Sequence, residues 1–413
     1  MVTAKNKKLV PKLRFPEYKG KWETKRLGEI AKVTSGGTPD RGQPDFWNGD
    51  IPWVTTSLID FNSINGTEEF ITKMGLAKSS AKLFPQGTLL MALYGQGVTR
   101  GKVALLEIEA TTNQACAAIL LDESQCHSHF IFFDLQGKYQ DIRNLSNDGG
   151  QKNLSGGLVK SIQLTLPSPP EQEKIASFLS AVDRKIGQLS RRKELLEQYK
   201  KGVMQKIFSQ EIRFTDDNGK DYPDWEEKRL EEVTKWASGG TPSKQESSYW
   251  GNDIPWISAS SMRGYLFSKS KLMITELGLS KGSRLAEKGT ILLLVRGSML
   301  YNKVPVGIAG RNVAFNQDVK SITAGPKTFS GFLLQWFLAK QNMLLSMVVG
   351  TGIGAGKLDT YDLKKLQINL PTLAEQNKIA SFLFRIDRKI ESVQSQLEQT
   401  QTFKKGLLQQ LFV

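Results

Sequence analysis

The stretch EQEKIASFLSAVDRKI occupies Glu171–Ile186, and EQNKIASFLFRIDRKI occupies Glu375–Ile390. The copies stand 204 residues apart (375 − 171). A hydroxyl residue precedes each glutamate by three positions, Ser168 in one copy and Thr372 in the other. Followed by an apolar run, this is the signature of a helix start. The hydroxyl caps a first-turn amide, and the glutamate reaches back to the cap amide. Pro169 falls at the first helical position, where no amide hydrogen is needed. Leu166-Pro167 and Leu370-Pro371 keep the chain extended just upstream.

Downstream, apolar residues recur at steps of three and four. The first copy has Ile175, Leu179, Val182, Ile186, Leu189, Leu196, Val203 and Ile207. The second has Ile379, Leu383, Ile386, Ile390, Val393, Leu397, Phe403, Leu407 and Leu411. This is a heptad seam, interrupted at Lys193 and Thr400. A helix running from Glu171 to Phe208 would be ~57 Å long at ~1.5 Å per residue. Ordinary globular helices average only ~11–12 residues. The seam therefore predicts two long helices packed on each other, rather than two helices each lying on its own domain. Gly202 and Gly406 are equivalent and mark a bend, a close crossing or the helix end.

The repeat extends across the chain. Trp22, Lys25, Arg26 and Leu27 return as Trp225, Lys228, Arg229 and Leu230, an offset of 203 (225 − 22). SGGTP at Ser35–Pro39 returns at Ser238–Pro242, DIPW at Asp50–Trp53 returns at Asp253–Trp256, and Asn113-Gln114 returns as Asn316-Gln317. Motif order and offset are stable, so the chain is a duplication, and its period far exceeds the ~20–50 residues of a solenoid unit. The C-terminal KKGLLQQLFV matches KKGVMQKIFS at Lys200–Ser209. The latter runs on into EIRF (Glu211–Phe214), while KLRF (Lys12–Phe15) stands near the N-terminus. The sequence reads almost as a circle, which predicts that its two ends lie close together.

Between the helices, GTLLMALYG (Gly87–Gly95) and GTILLLVRG (Gly289–Gly297) read as buried strands bounded by glycine. SGGTP and NGDIPW read as turns. SHFIFFDLQGKYQDIRNLS and SGFLLQWFLAKQNMLLSMV read as amphipathic helices. The fold class expected is α+β, each domain carrying a modest, strongly curved sheet. Two similar globular domains are joined by two long helices in an antiparallel coiled coil, with a pseudo-twofold, circular repeat.

With 413 residues the chain has room for two or more domains. Its 56 basic residues against 41 acidic give a net charge of +15, which favours a polyanionic partner, nucleic acid first. No apolar run reaches the ~18 residues of a membrane span, and MVTAKNKKLVPKLRF lacks the apolar core of a signal peptide. Cys116 and Cys126 are the only cysteines, so disulfides are not expected to hold the fold, and a reduced, cytoplasmic setting fits.

The residues suited to nucleic acid cluster in glycine-rich loops that differ between the halves. The first half offers Tyr94, Gln96, Thr99, Arg100 and Lys102 in one loop and Gln151, Lys152 and Asn153 in another. The second offers Lys244, then Arg296, Ser298, Tyr301, Asn302 and Lys303, then Lys357. Such side chains pair with base edges, while lysines and backbone amides hold phosphates. Similar scaffolds carrying different loops would read two different half-sites. Any one of these residues read alone fits a solvated loop side chain equally well.

Motifs for catalysis fail on inspection. GTGIGAGK lacks the spacing of a phosphate loop, since Lys357 is followed by Leu358, and Ala355 breaks the dinucleotide pattern. SPPE is a helix start, not a methyltransferase pocket, and Glu226-Glu227-Lys228 reads as a solvated face. Cys116, Cys126, His127 and His129 match no common zinc spacing and have no counterpart in the second half. No catalytic, cofactor-binding or metal-ligating residue is expected in this chain.

Taken together, the paired GGTP, IPW and LP…EQ…KIASFL…DRKI motifs resemble the specificity subunit of type I DNA restriction–modification systems, over essentially the whole chain. The resemblance implies target-recognition domains at residues 1–170 and 210–371, each reading half of a bipartite, asymmetric site in double-stranded DNA. It implies conserved spacer helices at 171–209 and 372–413, acting as a ruler and as a dock for two methyltransferase subunits. Those partners would bring S-adenosylmethionine, and restriction–translocase subunits in the larger assembly would bring ATP and Mg. The ~57 Å rod would hold half-site centres within about 16 base pairs. Arg184, Lys185, Arg388 and Lys389 on the helices would face DNA, partner or solvent. The alternative function is a stand-alone bidentate DNA-binding protein, such as a repressor, which would bind its site tightly without partners.

Overall fold

The computed structural model describes residues 9–95, 98–145, 153–352 and 354–413. The chain forms two units, residues 1–191 with 394–413, and residues 192–393.

In the first unit a five-stranded sheet runs in the order Ala31–Ser35, Cys116–Leu121, Leu89–Ala92, Val103–Leu106, Asn62–Ile64. All neighbours are antiparallel except the last pair. A four-stranded sheet follows the order Phe70–Ile71, Trp47–Val54, Ala110–Thr112, Leu83–Phe84. A separate ribbon pairs Glu23–Arg26 with Gln163–Leu166. The five-stranded sheet is buried on both faces. Leu89, Met91, Val103 and Leu105 pack with Phe130, Phe133, Ile175 and Leu179. The alternate residues Leu90, Ala92, Ala104 and Leu106 pack with Val54, Ile59 and Phe84. That period of two is why GTLLMALYG is apolar throughout. Its bounding Gly87 and Gly95 take φ +86 and +133, a region that favours glycine.

The second unit repeats this plan. Its five-stranded sheet runs Thr234–Ser238, Val319–Ala324, Ile291–Leu294, Val306–Ala309, Leu266–Phe267. Its four-stranded sheet runs Met273–Ile274, Trp250–Ile257, Val313–Phe315, Leu285–Ala286. Here a further three-stranded sheet forms from Arg296–Gly297, Gly356–Lys357 and Val349–Gly350.

Two readings need correction. NGDIPW is not a turn: it lies inside the strands Trp47–Val54 and Trp250–Ile257, where a register shift bulges the chain. The bulge absorbs the turn-like residues without ending the strand. Nor are the domain helices amphipathic. Ser128–Gly137 buries Phe130 through Leu135 without a gap, and Ser330–Ala339 buries Gly331 through Phe337. A helix that is apolar all round is a core helix.

The long helices run Pro169–Phe208 and Leu373–Gln410, 40 and 38 residues. They pack together antiparallel. In the first unit, Leu407 and Leu411 join Ile175, Leu179 and Val182, and Lys404 pairs with Asp183 at 2.7 Å. In the second, Met204 and Ile207 join Ile379, Leu383 and Ile386, and Lys200 pairs with Asp387 at 2.7 Å. The two ion pairs are the same pair, displaced by the repeat (387 − 183 = 204; 404 − 200 = 204). Gly202 and Gly406 do not end the helices, which continue to Phe208 and Gln410, and a Cβ at either glycine would meet nothing within 4 Å. Phe403, expected in the seam, is 54% exposed, and Lys404 beside it is buried instead.

The N-terminal arm does close the circle. The amide of Leu13 donates to the Gln410 carbonyl at 2.9 Å, and in the second unit Ile212 donates to Lys206 at 3.1 Å. Among the described residues, no helix is long and apolar enough to cross a membrane.

Candidate nucleic-acid interface

The repeated motifs are consumed by the framework. Trp53 Nε1 donates to the Gly37 carbonyl and Trp256 Nε1 to that of Gly240, both at 3.0 Å. A Cβ on Gly36 would sit 1.9 Å from the Thr112 oxygen, and one on Gly239 2.1 Å from that of Phe315. SGGTP is thus kept because the backbone of one segment lies against another. Thr38 and Thr241 hydroxyls donate to Gln114 and Gln317 at 2.5 and 2.7 Å.

The Glu-Gln pair at each helix start is likewise structural. The expected capping box is only half right. Thr372 Oγ accepts from the Glu375 amide at 3.4 Å, but the glutamates turn to arginines of the arms. Arg14 holds both oxygens of the buried Glu171 at 2.8 Å. Arg213 and Trp225 Nε1 hold one oxygen of Glu375, each at 3.0 Å. An arginine fork matches a carboxylate better than a single cap amide does. The carboxylates in turn hold the Arg14 and Arg213 guanidiniums above their ordinary pKa. Gln172 accepts from the His127 amide and donates to Gln125 and Pro167 carbonyls, all at 3.0 Å. Gln376 does the same with Phe329, Lys327 and Pro371. Reading the sequence missed Arg14 and Arg213, although the paired LRF and IRF arms carried the signal.

The variable loops are brought together in each unit by one shared bond. The Leu154 amide donates to the Leu93 carbonyl at 3.0 Å, and that of Leu358 to Val295 at 2.8 Å. In the first unit this sets Tyr94, which is exposed, beside the segment beginning at Asn153. Thr99 closes the turn, its carbonyl accepting from the Lys102 amide at 3.0 Å. Arg100 and Lys102 are engaged within the domain. Arg100 donates to the Arg143 carbonyl at 2.7 Å, and Lys102 pairs with Asp60 at 2.5 Å. Gln96, Gln151 and Lys152 lie outside the described residues.

In the second unit the equivalent loops form the three-stranded sheet. Arg296 stands opposite Lys357, and Ser298 and Tyr301 lie on the 3-10 turn Ser298–Tyr301 that follows. Asn302 and Lys303 continue it, both exposed, as are Arg296, Ser298, Tyr301 and Lys357. Lys244 is exposed on a different segment, the turn before Trp250–Ile257. Val349, exposed beside Lys357, was not anticipated, because one valine in a glycine-rich stretch carries no signal.

Cys116 is pushed up to about 12 by burial, and Cys126 to about 11. Both thiols stay protonated near neutral pH. Among the described residues no group of three or more His, Cys, Asp or Glu could hold a metal ion.

Two stretches, residues 19–198 and 222–401, match a family model described as Type I restriction modification DNA specificity domain. The type I restriction enzyme MjaIX specificity subunit of Methanocaldococcus jannaschii is 26% identical over 407 residues, covering 94% of this chain and 92% of that one. The EcoR124I/EcoR124II specificity subunit of Escherichia coli is 29% identical over 168 residues, 40% of this chain and 42% of that one. Among solved structures, the type I restriction–modification S subunit from M. genitalium superposes with a TM-score of 0.62 at 15% identity, covering 98% and 99% of the two chains. A chain from a structure of complex assembly and conformational transition in the type I R-M system gives 0.55 at 17% identity, covering 95% and 97%. At such identities the structural likeness shows the fold.

Proposed function

The chain belongs to the type I restriction–modification DNA specificity family, with two copies of its domain, and from that premise we propose how it divides the labour of recognition. The domains at residues 1–170 and 210–371 each read one half of a bipartite, asymmetric site in double-stranded DNA. The helices at 171–209 and 372–413 keep the gap between half-sites constant and dock two methyltransferase subunits. Restriction–translocase subunits join the larger complex. The chain supplies address and no chemistry: S-adenosylmethionine, ATP and Mg belong to the partners, and the complex works in the cytoplasm.

One observation carries this reading. The framework repeats down to single hydrogen bonds, while the side chains at its loop tips change. The Leu93–Leu154 bond returns as Val295–Leu358, yet the flanking Tyr94 and Asn153 are replaced by Arg296 and Lys357. Equal scaffolds with unequal tips suit an asymmetric target. Arg184, Lys185, Arg388 and Lys389 are exposed on the long helices, where partner or DNA can reach them.

The test is methylome sequencing of cells that carry this chain with its methyltransferase subunits. A two-part motif with a fixed gap is expected. Exchanging residues 210–371 for those of another family member should change one half of that motif only. Change in both halves, or in neither, overturns the division. Tight, site-specific DNA binding by the purified chain without partners would favour the stand-alone reading instead.

A further inference from the structure

The small sheet of the second unit has two unlike faces. Its register places Arg296 opposite Lys357 and Lys357 opposite Val349, so the three form one row. The next row is Gly297, Gly356 and Gly350. Successive rows of a sheet project to opposite faces. The glycine face is covered at its centre: a Cβ on the buried Gly356 would lie 2.7 Å from Val348 and 3.0 Å from Leu300, and one on the exposed Gly350 3.4 Å from the Tyr301 hydroxyl. Glycine lets the ribbon lie flat on the turn Ser298–Tyr301. At the ends of the strand connection, the amide and hydroxyl of Thr351 donate to the Ala355 carbonyl at 2.9 and 2.8 Å.

The other face is open. Arg296 and Lys357 are exposed, and Val349 is 68% exposed. Like charges directly opposite one another destabilise a sheet. Compensation is slight: among the described residues Asp359 reaches Lys357 at 3.9 Å, and no ion pair engages Arg296. A sheet built to set two cations side by side, over a row of glycines, stores a repulsion that a polyanion would relieve. The two strands that carry the cations, Arg296–Gly297 and Gly356–Lys357, pair as a two-stranded ribbon, an element that the ~12 Å major groove of B-DNA admits. Within that groove, arginine and lysine pair with O6 and N7 of guanine.

We propose that the Arg296–Lys357 row enters the major groove and reads guanine in the half-site assigned to the second domain. This rests on the specificity-subunit reading above. Lys357, on the central strand, faces the floor of the groove, and Arg296 reaches the same floor from the edge strand. The corresponding positions of the first domain, Tyr94 and Asn153, carry neither charge. The first half-site is therefore read by different chemistry at the equivalent positions.

The test uses the full chain assembled with its methyltransferase subunits. Wild type, Arg296→Ala, Lys357→Ala and Arg296→Lys are compared by methylome sequencing and by competition among duplexes substituted one base pair at a time. Each alanine variant should relax one G·C position of the second half-site, with discrimination there falling roughly 5- to 150-fold. The first half-site should stay as selective as before, which also shows that the variant is folded. Arg296→Lys should keep part of the preference. Unchanged motifs would overturn the proposal, as would relaxation at a position that is not guanine. So would a uniform loss on all sequences with a shallower salt dependence, the mark of a phosphate contact. If wild type itself yields no two-part motif, it is the specificity-subunit reading that fails.

Discussion

At the scale of single residues, the decisive contacts are the two buried carboxylates at the helix starts. Glu171 receives both its side-chain bonds from Arg14, whereas Glu375 also holds Trp225 Nε1. The equivalent Trp22 Nε1 is buried with no partner among the described residues. Removing one partner from a buried ion pair costs about 3–5 kcal/mol, because a charge is left uncompensated. Arg14→Met should therefore cost about that much. Arg213→Met should cost about 1 kcal/mol less, since Glu375 keeps its indole donor. Urea unfolding followed by circular dichroism checks the order, and equal losses would contradict it. A second residue links folding to pH. Burial, then His129, holds the His127 imidazole below its ordinary 6.5, against the pull of Glu173. The folded state thus binds fewer protons than the unfolded chain. Its contribution to stability is full above the free imidazole pKa and is lost as pH falls below it. His127→Asn should flatten the stability profile on the acid side of 6.5, read as urea midpoints across that range. The sequence placed none of these partners. The glutamates were visible as a repeat, but the arginines that hold them lie 157 and 162 residues away.

At the scale of elements, the long helices were the most legible part of the chain, because little besides paired helices sustains a heptad pattern over so many turns. The seam itself was legible only to the point where a charge enters it. Phe403 reads as a seam residue, yet it and its first-copy counterpart Tyr199 are exposed, and Lys200 and Lys404 next to them are 8% and 9% exposed. Apolar counting cannot foresee a lysine that is buried because an aspartate on the facing helix receives it. Lys200 Nζ meets both Asp387 oxygens at 2.7 and 2.8 Å, and Gln335 Nε2 adds a contact at 3.3 Å. Asp387→Leu alone should cost about 3–5 kcal/mol by stranding the lysine, while Lys200→Met with Asp387→Leu should recover most of it. The comparison is a double-mutant cycle on urea midpoints, and additive losses would show that the two side chains do not act as a pair. The domain helices failed for the opposite reason. Their apolar residues run on all sides, and a pattern without a face gives periodicity nothing to detect.

At the scale of the whole molecule, the duplication was legible, since the offset of the motifs stays between 202 and 204 from Trp22 to Ile390. What duplication could not reveal is which differences matter. The first unit's loops are braced inward by Arg100 and Lys102, and the second unit's form an open ribbon, from loops that look equally polar in sequence. The circular relation is the most testable consequence. In the second unit the long helix ends at Phe208, and the chain passes through Ser209 and Gln210 to the arm, where Ile212 donates to Lys206. In the first unit the same bond, Leu13 to Gln410, joins segments from opposite ends of the chain. Only residues 411–413 and 9–12 separate that bond from the two ends to be joined, at most about 25 Å of extended chain beyond the bonded pair, so a linker of about ten residues at ~3.3–3.6 Å each can span them. A permuted chain that begins at Gln210, passes from Val413 through such a linker to Leu9, and ends at Ser209 preserves every strand and both long helices. Closing one short loop while opening another changes chain entropy by about 1 kcal/mol or less. The permutant should match the parent in helical signal and urea midpoint and, assembled with methyltransferase subunits, mark the same two-part site. A collapse of helicity would mean that the arm and the end of the helix hold together only by the covalent order of the native chain.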